Sequence, residues 1–121
     1  MKIAKTLLFA LMTLPALMAQ AQNDEVCVTA YERAEQDKVA LDHDPAERTV
    51  KGVGRLYFHA APDERCRLKN VFVIARDRLE IYAQYGDFTE VIYWNPVSGT
   101  GTAGWVLSAR LAEETSVVGM R

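Results

Sequence analysis

Two periods of hydrophobic patterning divide the chain near residue 51. Ahead of that point Cys27, Ala30, Tyr31, Ala34 and Leu41 recur at helical spacing, with Glu25, Glu32, Arg33, Glu35 and Gln36 mostly off the stripe. This predicts an amphipathic helix within residues 22–50. Asn23 suits its N-cap, and Asp44-Pro45 ends it, because a residue before proline is pushed out of helical geometry. Val26, Val28 and Thr29 are β-favouring and leave a short strand as a competitor at its start. Beyond Lys51 the period falls to two. Leu56 and Phe58 alternate with Tyr57 and His59; Val71 and Val73 with Phe72 and Ile74; Leu79 and Ile81 share a face, as do Val91 and Tyr93. Tyr85-Gly86-Asp87 predicts a hairpin turn. The run 95–104 is rich in glycine and turn formers, and Trp105, Val106 and Leu107 follow it. Five short β segments on short connections predict a small barrel or sandwich. The chain has no internal repeat, and the last ten residues, 112–121, carry no pattern and are expected to fray.

The first 21 residues carry a different signal. Met1, Lys2 and Lys5 precede an apolar run from Thr6 to Leu17, and Ala19-Gln20-Ala21 then offers small residues for cleavage. This is the pattern of a secretory signal peptide, and the run is too short for a membrane span. The expected mature chain begins at Gln22, in the periplasm or outside the cell. An uncleaved anchor is the alternative. Lipid attachment at Cys27 is not expected, because Asp24-Glu25-Val26 separate it from the apolar run. Without Lys2 and Lys5 the chain holds 12 basic and 16 acidic residues, a formal charge of −4. That balance argues against a nucleic-acid binder, which needs a net basic face. The chain has two cysteines, Cys27 and Cys66, both in the exported part. In an oxidising compartment an even count predicts a disulfide. Cysteines this far apart, without clustered histidines, make a poor metal site.

A resemblance emerges at the C-terminal end. Gly104-Trp105-Val106, three residues, then Arg110-Leu111 is similar to the closing strand of the bacterial SH3-like domains, in which an aromatic precedes the final leucine. Leu56-Tyr57-Phe58-His59-Ala60-Ala61-Pro62 resembles that family's opening strand and polar-Pro loop. Gly86-Asp87-Phe88-Thr89-Glu90-Val91 resembles its Gly-Trp-x-x-Val strand, with Phe88 in place of tryptophan. Three departures stand out: Ala75-Arg76-Asp77 where the family often has a turn glycine, Arg110 for the terminal aromatic, and a long loop after Trp94. The resemblance covers about residues 53–111. It implies a mainly β fold, a small five-stranded SH3-like barrel over residues 51–111, preceded by the helix stapled through the disulfide. It also implies a binding module, often a targeting unit beside a wall-cleaving enzyme, with peptidoglycan peptides or proteins as partners. In such a barrel Gly104 relieves crowding at the strand entry, Val106 points into the core, and Trp105 points toward the helix or a partner.

Candidate chemistry is sparse. His43 sits between Asp42 and Asp44 and reads as a solvated loop. His59 falls on the outward face of the first strand near Asp63 and Glu64, as a surface or groove residue rather than a general base. Ser98, Ser108 and Ser116 lack a nucleophile-elbow context, and the glycines at 99, 101 and 104 are not followed by the helix that a phosphate cradle needs. No catalytic residue, metal ligand or cofactor is assigned, and a non-enzyme is expected. The aromatic residues left over from the core are Tyr57, Tyr85, Trp94 and Trp105; with His59 they form the candidate binding set. For Trp105 and Tyr57, covering the barrel end or packing on the helix competes with binding. The charged loop around Cys66 (Asp63, Glu64, Arg65, Arg67 and Lys69) offers a rigid presentation surface as an alternative. These readings converge on an exported binding protein that docks on a protein partner, as an inhibitor or immunity-type protein against a cell-wall-degrading enzyme or effector. The alternative is a peptidoglycan-binding module.

Overall fold

The computed structural model describes residues 14–41 and 46–113, with side chains described from residue 24. Helix α1 spans Leu14–Asp37. Seven strands follow: β1 Val39–Ala40, β2 Glu47–Thr49, β3 Leu56–His59, β4 Arg67–Val73, β5 Arg78–Tyr85, β6 Phe88–Trp94 and β7 Gly101–Leu107. Short 3-10 turns lie at Glu64–Cys66 and Ser108–Arg110. The protein is mainly β, with one helix and a Cys27–Cys66 disulfide. All strand pairs are antiparallel, in the order β1-β5-β6-β7-β3-β4, with β2 also on β5.

This sheet is open and seven-stranded, which corrects the expected closed five-stranded barrel. The reason lies at the outer edge of β5. Ala40 pairs with Ala83, and Glu47 to Thr49 pair with Glu80 to Arg78, so β5 already has a partner on each side. Among the described residues strand β4 pairs only with β3, and it ends in a tight turn in which Asp77 Oδ2 accepts from Ile74 N at 2.8 Å and Arg76 has φ +79°. Backbone bonds tie that turn to Val50, not to a β4–β5 ladder. The segment 22–50 is therefore not all helix. The helix stops at Asp37, short of Asp44-Pro45, and its remainder supplies β1 and β2. Helical backbone already exists at Leu14, so Asn23 lies inside α1 and does not cap it. His43 and the 114–121 tail lie outside the described residues.

The period-two reading of the core holds. Leu56, Phe58, Val73, Leu79, Ile81, Val91 and Val106 are buried in one cluster, joined by Val50 and Leu111, with Val71 and Tyr93 packed against it. The hairpin at Tyr85↔Phe88 turns through Gly86 at φ +57°, a left-handed conformation that glycine adopts without steric penalty. The β6–β7 hairpin keeps register from Phe88↔Leu107 to Trp94↔Gly101. Its loop is ordered by Asn95 Oδ1, which accepts from Val97 N and Ser98 N at 2.8 and 3.1 Å. At Gly104 a Cβ would stand 2.9 Å from Phe58 Cδ2 and 3.1 Å from the His59 carbonyl, so β7 and β3 approach closely only with glycine there.

Helix α1 covers part of the other sheet face. Ala34 packs with Trp105 and Phe88 in a second buried cluster. Lys38, just past the helix, bonds both Glu35 at 2.8 Å and Glu90 of β6 at 3.0 Å. The disulfide fixes the helix to the 3-10 turn at Glu64–Cys66, across a sequence separation of 39. Among the described side chains of the helix only Ala34 is fully buried, and Tyr31, expected on the stripe, is 44% exposed. So small an apolar contact needs the covalent staple to hold α1 in place. Replacing both Cys27 and Cys66 by serine is expected to lower unfolding free energy by about 4 kcal/mol, the chain-entropy value for a loop of this length, as measured by urea titration. Gly104→Ala is expected to lower it by about 1–3 kcal/mol through overpacking against Phe58.

Candidate functional site

The sheet face opposite the core carries the candidate aromatics, with Tyr85 packed at the edge of the Trp105 cluster, and that face divides into three zones. Helix α1 covers the middle one. There Trp105 is 1% exposed, and its register partners are Glu90 on β6 and His59 on β3. His59 is 6% exposed; its Nδ1–H donates to the Trp105 carbonyl at 3.1 Å, and its ring meets Phe88 edge-on at 5.0 Å between centroids. Alternation places both on the outward face, yet both are buried: Trp105 packs with Ala34 of the helix and Phe88, and His59 packs on Phe88 and bonds the Trp105 carbonyl.

Trp94 lies toward one end of the face and is 51% exposed. Its ring rests on Gly101, where a Cβ would fall 2.7 Å from the ring. Ile92 and Ala103, the next register pair on this face, line a shallow cleft of about 340 Å³ with Tyr82 and the Lys38–Glu90 ion pair. The β-bulge between Ile81 and Ala83 lets Tyr82 turn outward while both neighbours stay buried. Trp94 is exposed, as the sequence leads one to expect; the sequence does not single out Tyr82 and Ile92, because in an alternating strand an outward aromatic or aliphatic residue carries no mark that separates it from a covered one.

Tyr57 occupies the opposite end, beside Leu107. From Gly101 to Leu107 is six strand residues, roughly 20 Å, so the structure does not bring Tyr57 and Trp94 together. Tyr57 packs edge-on against Phe72 at 5.7 Å, and Arg67 lies 4.5 Å above its ring. The Cys66 loop is tied to the helix by the disulfide. Asp63 caps the 3-10 turn, accepting from Arg65 N at 2.9 Å, and its carboxylate grips the Arg65 guanidinium at 2.9 and 2.7 Å. These bonds, first the one to the Arg65 side chain, pull the Asp63 pKa from 3.8 down to about 2. Among the described residues no group of three or more His, Cys, Asp or Glu side chains could hold a metal ion, and no helix is long and apolar enough to cross a membrane.

Compared with known proteins, the chain matches no family model, no curated protein and no solved structure.

A carboxylate with a depressed folded pKa stabilises the fold above its unfolded pKa, and that stabilisation is lost as pH falls through the folded pKa. For Asp63 the window runs from about pH 4 down to about pH 2. Asp63→Asn is accordingly expected to be less stable than the parent at pH 6, with the difference shrinking through that window. Paired urea titrations across pH check it. At the Trp94 site, Gly101→Ala is expected to lift the indole off the strand, raising acrylamide quenching of its fluorescence.

Proposed function

We propose that this protein is an exported, non-catalytic binding module that docks on a protein partner through the surface formed by Trp94, Tyr82 and Ile92. One observation carries the reading: a half-exposed tryptophan is seated on a glycine beside an apolar cleft, on the rigid strands of a ladder with unbroken register. Large aromatics held in one orientation lose little entropy on binding, and tryptophan is enriched among residues that dominate binding energy. Export is supported by the signal-like segment at residues 1–21 and by the disulfide, which persists in oxidising compartments. A link to bacterial SH3-like domains belongs to the same proposal. It rests on Gly104-Trp105-Val106, whose crowded glycine and inward Val106 follow that family's closing strand. The partner in this reading is a wall-degrading enzyme or an effector delivered to the periplasm, and the protein is its inhibitor.

The buried His59, already bound to a backbone carbonyl, supports a structural rather than a catalytic role for that residue. Immobilised protein incubated with a periplasmic extract is expected to retain one partner in stoichiometric amount. Trp94→Ala and Tyr82→Ala are each expected to weaken retention by at least about tenfold with unchanged melting, the loss typical of residues at the centre of an interface. Retention unaffected by both variants overturns the assigned surface. Co-sedimentation with purified cell-wall sacculi, abolished by Trp94→Ala, replaces the protein partner with peptidoglycan.

A further inference from the structure

The opposite end of the outer face holds a cleft of about 440 Å³ whose lining includes Arg55, Tyr57, Glu64, Arg67 and Arg110, with His59 at its wall. Three guanidinium groups thus meet one carboxylate in a protein whose formal charge is −2 overall. Among the described residues none of the three arginines is ion-paired. Each is instead positioned by something other than a carboxylate. Arg55 lies 4.3 Å over the Phe72 ring and Arg67 lies 4.5 Å over Tyr57, while the two rings meet edge-on. These contacts form a continuous ladder, Arg55–Phe72–Tyr57–Arg67, across β3 and β4. Stacking fixes a guanidinium plane and leaves edge N–H groups for an acceptor; in Arg55 one of them, on Nη1, already donates to the Tyr57 hydroxyl at 3.5 Å.

Arg110 is held more firmly. It donates to the carbonyls of Lys51, Gly54 and Arg55 at 2.7, 2.8 and 3.4 Å. Three of a guanidinium's five N–H groups are used in this way, and two remain. Gly52, with φ +91°, makes room for it, since a Cβ there would stand 2.6 Å from Arg110 Nε. Carbonyls supply partial charge but do not neutralise the cation. The loop 51–55 therefore clamps an uncompensated positive charge at the cleft.

We infer that this cleft binds the side-chain carboxylates of an acidic peptide segment on a protein. Guanidinium forks match carboxylates in bidentate geometry. The negative charge of Glu64 in the lining repels a compact dianion such as phosphate more than carboxylates spread along a chain, which can be placed away from it. The exposed ring of Phe72 and strand β4, which among the described residues pairs on one side alone, give an extended segment apolar and main-chain contacts. The inference rests on the reading that the partner is a protein, but it uses a surface roughly 20 Å from Trp94 and can be tested without that partner.

The probe is a hexaglutamate peptide capped at both ends, titrated into the full chain while the arginine side-chain Nε–H resonances are followed by NMR. Signals of Arg55, Arg67 and Arg110 are expected to shift. Arg67→Gln and Arg55→Gln are each expected to weaken binding about tenfold, and raising salt from about 20 to about 300 mM is expected to weaken it similarly. Arg33→Gln, on the helix, is expected to change nothing. The assignment is overturned if no arginine signal moves at millimolar peptide, if capped hexaglutamine shifts the same signals equally, or if inorganic phosphate binds as tightly as the peptide. These outcomes leave Trp94-dependent retention untouched, so the two readings fail separately.

Discussion

Burying the Trp105 indole requires three separate segments of chain to close around it. Ala34 covers it from the helix, Phe88 packs beside it from β6, and His59 lies across from it on β3 and bonds its carbonyl. None of these contacts is local in sequence, so the loss of one exposes a large apolar surface rather than a single methyl group. A buried tryptophan of this kind is worth about 3–5 kcal/mol against alanine, a large share of the stability of so small a domain. Gly104 is part of the same arrangement. Its missing Cβ lets β7 lie against Phe58, which brings Trp105 close enough to β3 to hold His59. The disulfide then retains the helix that covers Trp105.

Much of the core was legible because alternation is a local signal. Leu56, Phe58, Leu79, Ile81, Val91 and Val106 declare a strand face within a few residues of themselves. The strands that keep the sheet open were not legible. Val39–Ala40 is two exposed residues, and Glu47–Thr49 is a polar triplet. Their strand conformation comes from the free edge of β5, a partner some 30–45 positions away in the register, and propensity does not report such pairing. The same limit explains His59 and Trp105. Alternation assigned the correct face to both, but whether a face meets solvent depends on what lies over it. The helix that covers Trp105 was predicted from its own periodicity, while its landing place on the sheet was not encoded in any one segment.

Arg110 shows how a departure from a resembled pattern becomes informative. In place of an aromatic before the final leucine, the chain has a guanidinium that gathers three carbonyls of the 51–55 loop. An aromatic would fill space there, whereas an arginine orders a loop through hydrogen bonds and leaves a charge. Positive φ at Gly52 and Gly54 shapes the same loop, so glycine and arginine act together. The signal for this pairing existed in the sequence as two unremarkable features almost sixty residues apart, and distance in sequence concealed their relation.

The two surfaces on either side of the helix share one physical design. Trp94 is seated by Gly101, Arg110 by Gly52, and Arg55 and Arg67 by aromatic rings. In each case a side chain with several rotatable bonds is fixed before any ligand arrives. Immobilising such a group on binding costs about 0.5–1.5 kcal/mol, and a fold that has already ordered it removes that penalty from association. The helix separates the two surfaces by covering Trp105, yet its own small buried contact and Lys38–Glu90 bond place it beside the Trp94 cleft. A partner that spans the face must therefore cross or contact α1. The element held most dependently on the disulfide is also the one that sets the spacing between the apolar and basic surfaces.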